Sequence, residues 1–404
     1  MNKDANVIID KIGRDLYILR YNDTDTKYFE ALWEIPEGVT YNAYLLIKDG
    51  TAILFDTWKK GLDSEFVNAL NSIIDIRELK YIVVHHTEPD HSGIIKTLYE
   101  KNPQITILGS SMANKLIRSF YGINPRFKAV SDGETLTIGD YKLTFIHIPW
   151  LHWPDTIATY ISPINTLITC DVFGAYSIPK SVIIDDIPED YIVSMRKYFT
   201  NIIGFYRDNV IKNLDKVLSI TNNKIEVIAP SHGAVLRGNA VGRAIDVYRE
   251  FALKVPRDSK IVIVYSSMYG FIDSIMNYIT QVLNNWGFRI SVYRFTDKER
   301  SNIGDLIGDV NNAFGIVLGI STYDTEPFPL MDYIIELLIR KLRGGKPILI
   351  ITDYGWGDVV LKHVKTRLEK AGFTVIDTVS INGQPTEREF GRILGILQKL
   401  KNFK

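Results

Sequence analysis

The stretch Val83–Gly93 reads VVHHTEPDHSG. Three histidines, a glutamate and an aspartate fall within the seven residues His85–His91, in a chain that has seven histidines in all. Imidazole nitrogens and carboxylate oxygens are ligands for divalent transition metals. Capping the start of a helix would ask for Asp90 alone. It would not ask for imidazoles and carboxylates at H-x-E-x-D-H spacing, so metal binding is the chemistry this cluster implies.

The elements around the cluster set its geometry. Tyr81–Val84 is a short apolar, β-branched run and reads as a buried strand. Pro89 keeps Glu88 out of the helical region. Asp90–Glu100 then takes helical spacing, with Ile94, Ile95 and Leu98 on one side. The cluster therefore lies on a strand-to-helix loop, where α/β folds place their chemistry. His86, Glu88 and Asp90 alternate along an extended path, and His91 opens the helix. His85 points to the opposite side of the strand from His86 and reads as a core residue or as one that supports the ligands from behind.

Further ligands are expected at the ends of other strands. His152 follows a strand and the break Ile148-Pro149-Trp150-Leu151. Asp171 closes the apolar run Thr166–Cys170, and His232 lies between Val227–Ser231 and Gly233. Together these give seven candidate metal ligands: His86, Glu88, Asp90, His91, His152, Asp171 and His232. One carboxylate bridging two metals would leave each with a mixed nitrogen and oxygen shell, at the usual two-metal separation of about 3.5–4 Å.

Composition narrows the function classes. A length of 404 residues predicts two or three domains. Lys plus Arg equals Asp plus Glu, at 47 each, which gives no support to a nucleic-acid or membrane-surface role. Apolar runs such as Lys346–Thr352 are strand-sized, far short of a spanning helix. The opening MNKDANVIID has no signal-peptide pattern. Cys170 is the one cysteine, so no intrachain disulfide and no cysteine cluster is expected, and a reducing cytoplasm fits.

The pattern changes near Phe251–Asp258. Before it, strands dominate: Tyr17–Arg20, Ala43–Lys48, Ala52–Asp56 and Lys142–Ile148, with helices over Ser64–Ile74, Ala113–Phe120 and Ile192–Val210. After it, strand and helix alternate. Strands are expected at Lys260–Tyr265, Arg289–Phe295, Gly315–Ile320, Pro347–Thr352 and Thr374–Val379. Helices are expected at Ser274–Trp286, Asp305–Ala313, Met331–Leu342, Val359–Ala371 and Glu387–Leu400. Five such units describe a doubly wound parallel sheet. The boundary is expected near Val255–Asp258, giving domains 1–255 and 256–404.

The strand-end ligands resemble those of the metallo-β-lactamase fold, an αββα sandwich whose hydrolases carry H-x-H-x-D-H. Here Glu88 takes the second histidine's place, which makes the site harder and favours iron over zinc. With a flavodoxin-like half behind it, the chain closely resembles the flavodiiron proteins, or A-type flavoproteins. The resemblance runs along essentially the whole chain. It includes TYNAYLL at Thr40–Leu46, HTEPDHSG at His86–Gly93, WLHWPDT at Trp150–Thr156, CDVFGA at Cys170–Ala175, APSHG at Ala229–Gly233 and DYGWGD at Asp353–Asp358.

The resemblance implies two irons per chain. His86, Glu88 and His152 would hold one, and Asp90, His91 and His232 the other, with Asp171 between them; in some members the equivalent of His91 stays off the metal. It implies reduction of dioxygen to water or of nitric oxide to nitrous oxide, with electrons relayed by FMN. It also implies a head-to-tail homodimer, or a tetramer built from it. No Cys-x-x-Cys segment follows the flavodoxin-like half, so a separate donor, a rubredoxin or a flavin reductase, is expected. The alternative is a hydrolase of the metallo-β-lactamase fold with an accessory flavodoxin domain.

Three loops are expected to bind FMN at the carboxyl ends of the strands. They are Ser266-Ser267-Met268-Tyr269-Gly270, then Ser321-Thr322-Tyr323-Asp324, then Asp353-Tyr354-Gly355-Trp356-Gly357. The family's phosphate loop usually ends in two hydroxyl or amide residues, and this chain has Phe271-Ile272. Losing such hydrogen bonds costs about 1.5–3 kcal/mol each, which predicts weakened FMN binding. Many members also carry a histidine near Phe29–Trp33, and this chain has none there.

Overall fold

The computed structural model describes residues 6–257 and 259–403; Asp258 of the expected boundary and the opening MNKDA lie outside the described residues. Two compact units emerge. The chain up to Phe199 together with Tyr206–Ala252 forms the first. Thr200–Phe205 together with the chain from Leu253 onward forms the second.

The first unit contains two seven-stranded sheets. One runs in the order Val7–Lys11, Leu16–Asp23, Val39–Lys48, Thr51–Phe55, Leu79–Val84, Thr106–Gly109, Arg126–Ala129. The other runs Thr135–Ile138, Tyr141–His147, Ile157–Ser162, Thr166–Cys170, Val227–Pro230, Val235–Arg237, Ile183–Ile184. Their facing residues share one core, in which Ile18, Tyr44, Ile53, Phe55 and Val83 meet Leu143, Phe145, Ile157, Ile168 and Ala229. Burying one apolar face of each sheet on the other is the driving force for this sandwich. Helices such as Ser111–Tyr121 flank it, started by Ser110, whose hydroxyl accepts from Ala113 N, and stopped at Gly122 with φ +64°. This is the metallo-β-lactamase-like αββα fold.

The second unit is a parallel sheet in the order Arg289–Thr296, Lys260–Ser267, Gly315–Tyr323, Pro347–Tyr354, Thr374–Asn382. Numbered along the chain this is 2-1-3-4-5, the flavodoxin-like order. The strands are apolar on both faces because helices cover both. The helix Phe271–Asn285 shows how: Ile272, Ile275, Met276, Ile279 and Leu283 fall on one stripe and pack into the core.

Several expectations are corrected. The single helix over Ile192–Val210 is instead a helix Glu189–Tyr198, a π-turn Phe199–Ile203, a 3-10 stretch Gly204–Asn209 and a new helix Val210–Ile220. Thr200, Asn201 and Gly204 are weak helix formers, so packing decides the backbone there. The helix over Asp90–Glu100 is interrupted, with Pro89–Ser92 and Ile95–Lys101 as separate helices. The break centres on Gly93, where a Cβ would stand 2.8 Å from Lys60 Cα. Asp90 thus lies in a helical turn, not on an extended path. Finally, all five strands of the second unit run past their expected ends, through Ser267, Thr296, Tyr323, Tyr354 and Asn382, because backbone pairing continues there, as in Ser266↔Phe295, Ser321↔Asp353 and Tyr354↔Asn382.

Candidate metal centre and flavin cleft

All seven candidate ligands converge at the ends of the first unit's strands. Ligand atoms of His86, Glu88, His152 and Asp171 lie within 4.8 Å of one another, as do those of Asp90, His91 and His232. Asp171 joins the groups. Its Oδ1 is 2.9 Å from His91 Nε2 and 3.3 Å from His232 Nε2, and its Oδ2 is 3.5 Å from both His86 Nε2 and His152 Nε2. Glu88 Oε2 lies 3.0 Å from His86 Nε2 and 2.9 Å from His152 Nε2. Metal–ligand bonds of about 2.1 Å place neighbouring ligand atoms roughly 3.0–3.4 Å apart, so these spacings suit ligands on the edge of a coordination shell.

The chemistry of the cluster also fits a cation. Asp90 Oδ1, Asp171 Oδ2 and His232 Nε2 are buried without a hydrogen-bond partner. Such orphans are rare in folded proteins, and each faces other members of the cluster: Asp90 Oδ1 faces His91, Asp171 Oδ2 faces His86 and His152, and His232 Nε2 faces Asp90 and Asp171. Burial works against ionising Glu88, yet hydrogen bonds from His152 and His86 hold its carboxyl well below the usual range. Burial likewise opposes charge on Asp171, which His91 and His232 hold well down. His232 would be neutralised by burial, but Asp171 and Asp90 push it up to about 10. Against the cost of burial, neighbouring carboxylates hold His86 and His91 above the usual imidazole range, and a bound cation would compete with those protons.

Other residues aim the ligands. His232 Nδ1 donates to Thr40 O at 2.7 Å, which turns Nε2 toward the cluster. Asp155 accepts from Thr87 N (2.9 Å) and Thr87 Oγ1 (2.6 Å) and sets its other oxygen 3.5 Å from His86 Nδ1. The Tyr198 hydroxyl donates to Asp171 Oδ1 at 2.7 Å. His85 is in the core as expected: its ring bridges Asp56 Oδ2 (2.7 Å) and Thr159 Oγ1 (2.8 Å). Cys170 lies close to His91 and Asp171, but burial drives its thiol well up, so it stays protonated and is a poor ligand. Sequence reasoning missed Asp155, Tyr198 and Thr40. The WPDT and TYNAYLL segments flagged Asp155 and Thr40 weakly; nothing local marks Tyr198.

A cavity of about 370 Å³ reaches Glu88 and Asp90, walled by Tyr28, Phe29, Tyr41 and Pro89. Phe29 stands edge-on to the His232 ring at 5.5 Å, so an apolar group occupies the region where a histidine is absent.

In the second unit, Met268 and Tyr269, Thr322 to Asp324, and Asp353 to Trp356 line one cleft of about 250 Å³. Phe271 and Gly383 also line it and were not expected. Ser266, Ser267, Gly270, Ser321 and Gly357 are not on its wall. Ser266 and Ser321 are buried in their strands, where the Ser266 hydroxyl accepts from Ser321 N (3.1 Å). Ser267 and Gly270 line an adjoining cleft. Asn382 steadies the third loop, donating to Tyr354 O (3.1 Å) and Gly355 O (2.8 Å).

Residues 39–233 match the family described as ODP family beta lactamase. A nitric oxide reductase of Moorella thermoacetica is 30% identical, covering 88% of this chain and 88% of that protein. Among solved structures, a flavo di-iron protein from Thermotoga maritima superposes with a TM-score of 0.91 at 34% identity, covering 97% of this chain and 98% of that one. The rubredoxin oxygen:oxidoreductase of Desulfovibrio gigas gives 0.91 at 25% identity, with the same coverage. Likeness at this level over nearly the whole chain makes it a member of the flavodiiron protein family.

Proposed function

We propose that this protein is an oxidoreductase that reduces dioxygen to water or nitric oxide to nitrous oxide at a pair of iron ions. Residues 1–255 supply the metal domain and 256–404 the FMN domain. His86, Glu88 and His152 hold one iron, Asp90, His91 and His232 the other, and Asp171 bridges them. The observation that carries this reading is Asp171, whose two oxygens face two different sets of ligands. Each carboxylate set makes the pocket anionic and hard, which suits iron. Its Glu88 and its oxidoreductase relatives leave the hydrolase reading without support.

When bound, the iron pair supplies the electron transfer to the gas and FMN the passage of electrons toward it. Four electrons and four protons convert one dioxygen to two waters; two electrons and two protons convert two nitric oxides to nitrous oxide and water. The chain's part is positional. Tyr198 fixes Asp171, Asp155 and Thr40 orient His86 and His232, and the cavity over Glu88 and Asp90 admits a small molecule between aromatic walls. Electrons come from a separate protein, a rubredoxin or a flavin reductase. The working unit is a head-to-tail homodimer in the cytoplasm, or a tetramer built from it. No helix among the described residues is long and apolar enough to cross a membrane.

The test is anaerobic turnover of the reduced protein against dioxygen and nitric oxide separately, with iron and flavin measured on the same sample. About two irons per chain and consumption of at least one gas are expected. Zinc in place of iron, or no gas consumption by loaded protein, would overturn the reading.

A further inference from the structure

The cleft of the second unit offers a great deal to a flat ring and little to a phosphate. Tyr269, Phe271, Tyr323, Tyr354 and Trp356 all line it. Tyr269 is 81% exposed and Trp356 86%, so the fold itself makes little use of their ring faces. Such faces stack on planar heteroaromatic rings. The charged side chains on the same wall are Asp324 and Asp353; among the described residues lining it there is no lysine or arginine.

A phosphate would sit at the opening of the helix Phe271–Asn285, where first-turn amides and the dipole favour an anion. That opening is already partly used. Ser267 Oγ accepts from Gly270 N at 3.1 Å and from Asp273 N at 3.3 Å. Asp273 places a carboxylate in the first turn, in the field a phosphate would otherwise enjoy. Of the side chains that could add a hydroxyl donor, Ser267 stands at the opening, and it is almost wholly buried. Phe271 puts an aromatic ring on the cleft wall, and Ile272 is fully buried. The Ser266 and Ser321 hydroxyls are buried and bonded between their strands. The adjoining cleft, which shares Met268 and Tyr269, carries Lys298, but beside Asp273 and Asp297.

We infer that this protein selects its flavin by the isoalloxazine ring and not by the phosphate, so that riboflavin and FMN are held with closely similar affinity. This rests on the flavin reading above and sharpens it. Each hydrogen bond to a phosphate on a full loop is worth about tenfold to a hundredfold in affinity; here that preference is largely gone.

The test is a fluorescence-quenching titration of the flavin-stripped full chain with FMN and with riboflavin. Dissociation constants within about fivefold of each other are expected; a larger preference for FMN would overturn the inference and leave the flavin reading standing. If that preference vanished in Lys298→Ala, the phosphate would be assigned to the adjoining cleft. Trp356→Ala should weaken both flavins alike, by about tenfold, and a variant that bound both as tightly as the parent would overturn the ring grip. Failure of either flavin to bind at saturating concentration would overturn the inference together with the flavin part of the proposed function.

Discussion

In the first unit, His86, His91, His152, Asp171 and His232 are all buried, and three of them have further partners inside the protein: Asp155, Tyr198 and Thr40. In the second, the cleft is bordered by Tyr269 and Trp356, which stand almost free in solvent. Charged groups taken out of water are costly unless paired, so the metal ligands need a rigid surrounding network. Aromatic faces stay cheap to expose, so the flavin cleft can be open and shallow. One centre is therefore set by the fold, and the other by its ligand.

The largest effect expected from breaking this contrast is at Asp171. Asp171→Ala removes the carboxylate shared by both ligand groups. Iron measured by plasma emission should fall from about two per chain to well below one, and gas reduction should fall with it. A variant that kept two irons and full activity would remove the bridge from the argument.

Next comes the buried support of the metal loop. His85→Ala removes the ring bond to Asp56 Oδ2 while the backbone N–H of residue 85 stays on Oδ1, and the loss should be about 1.5–3 kcal/mol in urea unfolding. An unchanged midpoint would show that Asp56 finds another partner. Tyr198→Phe is milder. It deletes the hydroxyl on Asp171 and little volume, so metal affinity should drop about tenfold, read by competition with a chelator, while the unfolding midpoint moves little. Smallest of all is the stability change in Trp356→Ala, within about 0.5 kcal/mol because the ring is exposed. Equal losses of stability in the Trp356 and His85 variants would erase the distinction between the two centres.

The metal ligands were legible because histidine is scarce in this chain and three of its seven copies are adjacent to carboxylates behind a strand. Parallel alternation in the second half was legible from its repeated apolar runs. The residues that aim the ligands were not. Tyr198 reaches Asp171 from 27 positions away, and Thr40 reaches His232 from 192, contacts that no local pattern encodes. The flavin loops were half legible. Strand ends mark where a loop should be, but Ser266 and Ser321 remain inside paired strands, because in a sheet covered on both faces a serine looks the same whichever way it points. The π-turn at Phe199–Ile203 falls in the same class, since its residues are compatible with a plain helix.

The packing of Ile272 has one more consequence. A Cβ on Gly319 would lie 2.8 Å from Ile272 Cγ2 and 2.7 Å from both Met276 Cε and Tyr265 Cβ. The branched side chain at 272 thus fills the hollow that the glycine leaves open. A serine at 272 would lose the Cγ2 methyl that fills this hollow and would bury a hydroxyl, whereas Phe271 faces the cleft and can change alone. Glycine at 319 is held there by three neighbours at once: its Cβ would still meet Tyr265 Cβ and Met276 Cε at 2.7 Å whatever stood at 272, so the strand can press against the helix only where no side chain intervenes.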